Sequence, residues 1–89
     1  MSEIIINKGN INEVRYSVES NSIGSEKQIN WANQIKANKI SDVMMMISQH
    51  GIKVKDQAIE IADKINAVVD AKFWIDNRNN SWKEIVKSI

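Results

Sequence analysis

The pattern of apolar and polar positions divides the chain into an N-terminal strand region and a helical remainder. Residues 3–6 are rich in β-branched side chains, and in the alternating run 11–18 the side chains of Val14, Tyr16 and Val18 share one face. The turn-forming sequence NKGN at 7–10 lies between these stretches. We therefore predict a β-hairpin within residues 1–20. It must pack against other elements, because an isolated hairpin is only marginally stable.

A first helix is predicted over residues 25–50, where the sequence SEKQ forms a capping box at its start. Its apolar side chains recur at helical spacing up to Ile35, but the next one, Ile40, comes five residues later. At about 100° per residue this step rotates the apolar stripe by more than a quarter turn. The helix is therefore predicted either to kink or to break over residues 38–41.

A second helix is predicted over residues 56–78, where apolar side chains again recur at helical spacing. Only the sequence GIKVK separates it from the first helix, and so short a connection favours an antiparallel helix pair. The capping box SWKE then opens a short last helix over residues 81–89. The predicted fold class is α+β and mainly helical, with a hairpin, an antiparallel helix pair and a C-terminal helix in one domain, residues 1–89.

Composition indicates one small domain without catalytic or cofactor motifs. The chain has 89 residues, of which 43% are hydrophobic and 26% charged, as is typical of a soluble globular domain. It has no cysteine and one histidine, which nearly excludes thiolate metal sites and Ser-His-Asp or Cys-His catalysis. The three glycines are not spaced as in a phosphate-binding loop. We therefore expect a protein that is not an enzyme and binds no cofactor or metal.

Hydropathy and residue usage bear on location and origin. The longest apolar run, residues 43–47, is far shorter than the roughly 20 residues that a membrane span needs. No cationic segment precedes the N-terminal isoleucines, so the N-terminus is a poor signal peptide. We expect no membrane association and a cytoplasmic location. Abundant Ile, Lys and Asn with no proline indicate an AT-rich bacterial or phage genome.

The Trp-rich end of the chain is predicted to form a packed cluster. An antiparallel helix pair brings the segments SEKQINWA and AKFWIDNR together, although they lie far apart in sequence. Asp76 projects onto the apolar stripe and is interpreted as a buried carboxylate that stabilises the start of the first helix. A catalytic role for Asp76 would need a second titratable group in a cleft. The predicted aromatic cluster contains Trp31, Phe73, Trp74 and Trp82.

Three features are candidates for protein binding. Trp74 and Arg78 lie almost opposite the main apolar stripe, where they either pack against another element or form an exposed patch of the residue types that dominate interface hot spots. Met45 is the middle of three consecutive methionines, which cannot all face one core, so it is expected to face another element, another chain or solvent. The third feature is a set of acidic side chains on the second helix that would stand in for nucleic-acid phosphates: Asp56, Glu60, Asp63 and Asp70.

A rival hypothesis is a small nucleic-acid-binding accessory or regulatory protein. The formal net charge is only +1, from 12 basic and 11 acidic residues that are well mixed, whereas nucleic-acid-binding domains normally concentrate positive charge. This nucleic-acid-binding protein would act as a homodimer through four basic residues: Lys36, Lys39, Lys53 and Lys55. A second rival is a phage structural or assembly protein, in which Met45 or an edge of the hairpin makes contacts between copies.

The segments 27–32, with the pattern KQxxWA, and 71–78, AKFWIDNR, resemble paired segments of small, mostly uncharacterised proteins encoded on phages and plasmids of Gram-positive bacteria. The resemblance covers residues 24–80 through loose motifs, and similar sequences often have Trp in place of Phe73. The chain is also similar in size and composition to anti-CRISPR proteins. The resemblance implies a non-enzymatic protein-binding module from a mobile element, an inhibitor of a host defence nuclease such as a CRISPR effector.

Overall fold

The computed structural model describes residues 2–6 and 14–89. Helices dominate the described residues, which confirms the mainly helical α+β class. A single 3₁₀ turn, Ile52–Val54, joins the first two helices. In chain order the strands and helices are β1 Ser2–Ile6, β2 Val14–Val18, α1 Glu26–His50, α2 Lys55–Asn66, α3 Ala71–Asp76 and α4 Trp82–Lys87.

The two strands pair antiparallel, and Ser2 lies opposite Val18 at one end of the ladder. The predicted turn at 7–10 lies outside the described residues. On β2 the side chains of Tyr16 and Val18 are buried in the same core as the helices. This burial gives the two-stranded sheet the packing partner that it needs.

Helix α1 is unbroken from Glu26 to His50, so of the two predicted alternatives the break over 38–41 is wrong, and the kink stays a prediction. The reason is Lys36, whose side chain is completely buried although it carries an amine. It stands four residues before Ile40 and completes the buried stripe across the step from Ile35. The buried residues of α1 are Ala32, Ile35, Lys36, Ile40, Val43, Met44 and Ile47.

The predicted single helix over residues 56–78 is also wrong, because the chain leaves helical geometry between α2 and α3. The backbone of this break pairs with the chain that precedes α1. The carbonyl of Val69 accepts hydrogen bonds from the N–H groups of Ser22 and Ile23, at 2.9 and 3.2 Å, and the N–H of Ala71 donates to the carbonyl of Ile23 at 2.9 Å. Two helices therefore replace one, since the backbone groups find tertiary partners. The antiparallel direction of α1 and α2 stays a prediction.

The segment that precedes α1, residues 19–24, is a strap that fastens the strands to the helices. The amide oxygen of Asn66 accepts the N–H of Glu19 at 2.8 Å at one end of the strap. At the other end Gly24 has a φ of +134°, and a Cβ placed there would lie 2.9 Å from the Cβ of Ala71. Glycine therefore allows both the backbone conformation and the close approach to α3.

Helix α4, Trp82–Lys87, lies within the predicted last helix at 81–89, with Ser81 as its N-cap and residues 88–89 beyond its end. The hydroxyl of Ser81 accepts the N–H of Glu84 at 3.4 Å, as the capping box predicts. The side chain of Ile85 is completely buried, and α4 packs against both α1 and α2. Its first turn lies beside the C-terminal half of α1, because Trp82 and Lys83 line one groove together with residues of that half.

Candidate functional site

A groove lies between the C-terminal half of α1 and the start of α4. Its volume is about 430 Å³. Two methionines and a tryptophan supply its apolar part, and a carboxylate, an amide, a histidine and a lysine supply its polar part. The lining residues are Asp42, Met45, Met46, Gln49, His50, Trp82 and Lys83.

The three consecutive methionines explain the apolar side of the groove. Successive residues of a helix point in directions about 100° apart. Met44 is completely buried, Met46 is half-buried and Met45 is 43% exposed. The expectation that Met45 points away from the core is therefore confirmed. An unbranched thioether that faces solvent can adapt its shape to a bound partner.

The charges of the groove are not neutralised inside the fold. The ammonium group of Lys83 lies 5.7 Å from the centroid of the Trp82 ring, a cation–π distance. Within the described part of the chain, the carboxylate of Asp42 forms neither a hydrogen bond nor an ion pair. The groove can therefore accept an apolar side chain and still offer opposite charges to polar neighbours of that side chain. Among the described residues, no group of three or more His, Cys, Asp or Glu side chains is placed to hold a metal ion.

A second exposed aromatic residue, Trp31, lies on the N-terminal half of α1. Its side chain is 48% exposed, and the guanidinium carbon of Arg78 lies 5.5 Å from its ring centroid. The Nη1 of Arg78 donates a hydrogen bond of 2.7 Å to the carbonyl of Ile75, which holds the side chain in this position. The backbone carbonyl of Arg78 accepts a hydrogen bond of 2.9 Å from the Nζ of Lys39. The two segments that carry the family resemblance therefore meet, as predicted.

Trp74 is not part of an exposed binding patch, so its assignment to partner binding is wrong. Its side chain is completely buried, and its indole Nε1 donates to the carbonyl of Val68 at 2.9 Å. The ring of Phe73 packs edge-on against it at 5.3 Å. Among the described aromatic rings, neither Trp31 nor Trp82 joins this pair, so the predicted cluster of four is wrong as well.

The break between α2 and α3 also explains the position of Asp76. On one continuous helix Asp76 would lie on the buried stripe, but the interruption changes the direction in which α3 presents its side chains. Asp76 is exposed as the last residue of α3, so the predicted buried cap is wrong. The start of α1 is instead capped within its own sequence by Ser25 and Gln28.

The proposed basic patch does not assemble. Lys36 is buried, and its Nζ donates to the backbone carbonyl of Glu19 at 2.9 Å. Burial lowers the pKa of Lys36 to about 8, an effect that the carboxylate of Glu19 opposes. The ammonium group of Lys39 donates a hydrogen bond to the backbone carbonyl of Arg78. Of the four, only Lys53 and Lys55 keep free ammonium groups in the described structure. Lys53 lies in the 3₁₀ turn before α2, and Lys55 is the first residue of α2.

Two of the four acidic candidates have structural roles. Asp63 accepts a hydrogen bond of 2.6 Å from the hydroxyl of Tyr16, and burial together with this bond raises the pKa of Tyr16. Asp70 caps α3 by accepting the N–H of Lys72 at 3.0 Å. Asp56 and Glu60 remain exposed on α2.

Sequence reasoning identified Met45 but missed its polar neighbours in the groove, Asp42, Gln49 and Lys83. Charged and amide side chains are common everywhere on protein surfaces, so their residue type did not indicate a binding site. A usable signal was their spacing, because Asp42 and Gln49 lie three residues before and four residues after Met45. Such positions share one face of a helix.

Comparison with protein-family models, with curated proteins and with solved structures finds no match for this chain. In the described residues, no helix combines the length and hydropathy that crossing a bilayer requires.

Proposed function

We propose that this protein is a non-enzymatic protein-binding module and that the groove between α1 and α4 is its protein-binding site. The observation that carries the proposal is the exposure of Met45 beside Trp82 in a cavity of about 430 Å³. Methionine and aromatic residues are enriched at protein interfaces, where an apolar centre is surrounded by polar groups. Asp42 and Lys83 provide such groups at the edge of this groove.

The target class rests on the family resemblance, which implies a host defence nuclease such as a CRISPR effector in the cytoplasm of a bacterial host. Binding through the groove is a better mechanism than phosphate mimicry by the acidic residues. The carboxylates of Asp63 and Asp70 already accept hydrogen bonds within the chain. Only Asp56 and Glu60 remain, and two carboxylates are a weak substitute for a nucleic-acid backbone.

The test is affinity capture of the tagged protein from bacteria that express candidate defence systems, with nuclease treatment before elution. The variant Met45→Glu places a charge in the groove, and Lys53→Glu is a matched control at an exposed residue outside it. We expect a target that survives nuclease treatment, is retained by the control and is lost with Met45→Glu. Recovery of nucleic acid alone, or equal capture by both variants, would contradict the proposal.

A further inference from the structure

We propose that the groove receives Trp31 of a second copy of this chain, so that the protein forms a two-fold symmetric dimer through the outer face of α1. This inference rests on the proposed function, because it specifies which protein the groove binds. Capture of a host protein through the same groove then requires the dimer to dissociate.

The exposed side chains of α1 from Trp31 onward form one continuous face. Between residues 31 and 49, the exposed positions follow one another at intervals of three or four residues, which keeps them on one side of the helix. The two large apolar side chains of this face, Trp31 and Met45, are 48% and 43% exposed. We call this surface the outer face: Trp31, Gln34, Asn38, Asp42, Met45 and Gln49.

The outer face is symmetric in sequence about Asn38. Trp31 precedes Asn38 by seven residues and Met45 follows it by seven, whereas Gln34 and Asp42 lie four residues to either side. If two copies of α1 pack antiparallel with Asn38 on a two-fold axis, Trp31 meets the partner's Met45 and Gln34 meets the partner's Asp42. A two-fold interface requires this kind of self-complementary surface.

The chemistry of the paired positions is also complementary. Trp31 and Met45 each lie about 10 Å along the helix from Asn38, at 1.5 Å per residue, so both pairs form at once. A thioether and an aromatic ring make favourable contacts. On the axis the two Asn38 amides can hydrogen-bond to each other, and a buried asparagine pair of this kind fixes the register of two helices.

The charges support the same arrangement. Arg78 covers Trp31 with its guanidinium carbon 5.5 Å from the ring centroid. Asp42 lines the groove together with Met45 and has no ion-pair partner within the described part of its own chain. When Trp31 enters the partner's groove, Arg78 is therefore brought to the partner's Asp42. Symmetry forms this ion pair twice.

The first test uses the absence of cysteine from the chain. In the dimer, two copies of Asn38→Cys face each other on the axis, whereas two copies of Gln49→Cys are about 33 Å apart along the helices at 1.5 Å per residue. With oxidised glutathione as the oxidant, we expect the Asn38→Cys variant to form a covalent dimer at least about tenfold faster than the Gln49→Cys control. Equal rates would overturn the proposal.

The second test measures mass in solution by light scattering as the protein is diluted. We expect a dimer that the single variants Asp42→Arg and Arg78→Asp weaken by about tenfold or more, and that the double variant restores. Arg78 also donates a hydrogen bond to the carbonyl of Ile75 in its own chain, and Arg78→Asp removes that bond. Asp42→Arg cannot replace the bond to Ile75. Recovery of the dimer in the double variant therefore reports the ion pair between copies. The matched control Asp56→Arg changes an exposed carboxylate on α2 and should leave the dimer intact.

The two proposals fail in different ways. A monomer at all concentrations, whose capture of another protein is nevertheless lost with Met45→Glu, overturns the dimer and leaves the protein-binding function in place. A monomer for which Met45→Glu changes nothing overturns both.

Discussion

The Lys36→Met variant should lose most of the pH dependence of stability that the wild-type protein shows in mildly alkaline solution. Lys36 is completely buried, and burial lowers its pKa from 10.5 to about 8. Methionine keeps an unbranched side chain of similar length and has no titratable group. The substitution therefore removes the proton while it preserves most of the packing that completes the buried stripe of α1.

The sign and size of the effect follow from the two pKa values. Between about pH 8 and 10.5 the unfolded chain holds a proton on Lys36 that the folded chain has lost, so the free energy of unfolding rises with pH. At about 1.4 kcal/mol per pKa unit, the whole rise is at most about 3.5 kcal/mol. Below about pH 8 both states are protonated, and the burial penalty is fully present.

Tyr16 has the opposite dependence at higher pH. Its pKa is raised above the ordinary value near 10, first by burial and then by the hydrogen bond to Asp63. Above about pH 10 the folded chain keeps a proton that the unfolded chain releases, so the free energy of unfolding falls as pH rises. The two effects together predict a maximum of stability near pH 10.

Urea unfolding followed by far-UV circular dichroism measures this profile at a series of pH values. The control is Lys53→Met, which removes an exposed lysine and should keep the wild-type rise. In Lys36→Met the rise should disappear, and the fall above about pH 10 due to Tyr16 should remain. A full rise in Lys36→Met would refute the assignment of the pH dependence to Lys36.

Three further stability predictions can be checked by the same unfolding assay at neutral pH. Trp74→Ala should lower the free energy of unfolding by about 3–5 kcal/mol because it empties a buried site, whereas Trp31→Ala at low protein concentration should change it by less than about 1 kcal/mol. Similar losses in the two variants would contradict the different burial of the two rings. Gly24→Ala should cost more than about 1 kcal/mol, since its φ is +134° and the new methyl group would lie 2.9 Å from Ala71. Tyr16→Phe should cost about 1–3 kcal/mol by removing a hydrogen bond to a carboxylate, and an unchanged midpoint would show that this bond contributes nothing.

The features that the sequence predicted well depend on neighbours along the chain. The capping box at Ser25 forms both of its hydrogen bonds with Gln28, at 3.0 and 3.3 Å. Ser81 also caps α4 as predicted, since its hydroxyl accepts a hydrogen bond from the N–H of Glu84, three residues later. These bonds close within one turn of helix, so no knowledge of the tertiary structure is needed to expect them.

The features that the sequence could not predict depend on contacts between distant segments. The break between α2 and α3 exists because Val69 and Ala71 form backbone hydrogen bonds with Ser22 and Ile23. The residues next to Val69 in sequence do not predict those partners. This single interruption reverses two site assignments. It turns Trp74 into the core and leaves Asp76 at the surface.

Lys36 connects the error about the first helix with the surface that the dimer uses. If lysine is counted as polar, the apolar pattern has a five-residue gap and predicts a kink or a break over 38–41. A break would place Trp31 and Met45 on separate helices with unrelated directions. In the folded chain the buried stem of Lys36 fills that gap and α1 continues to His50. Only on one continuous helix do the seven-residue steps from Trp31 to Asn38 and from Asn38 to Met45 describe a single face. The interface hypothesis therefore depends on a core residue that no partner would touch.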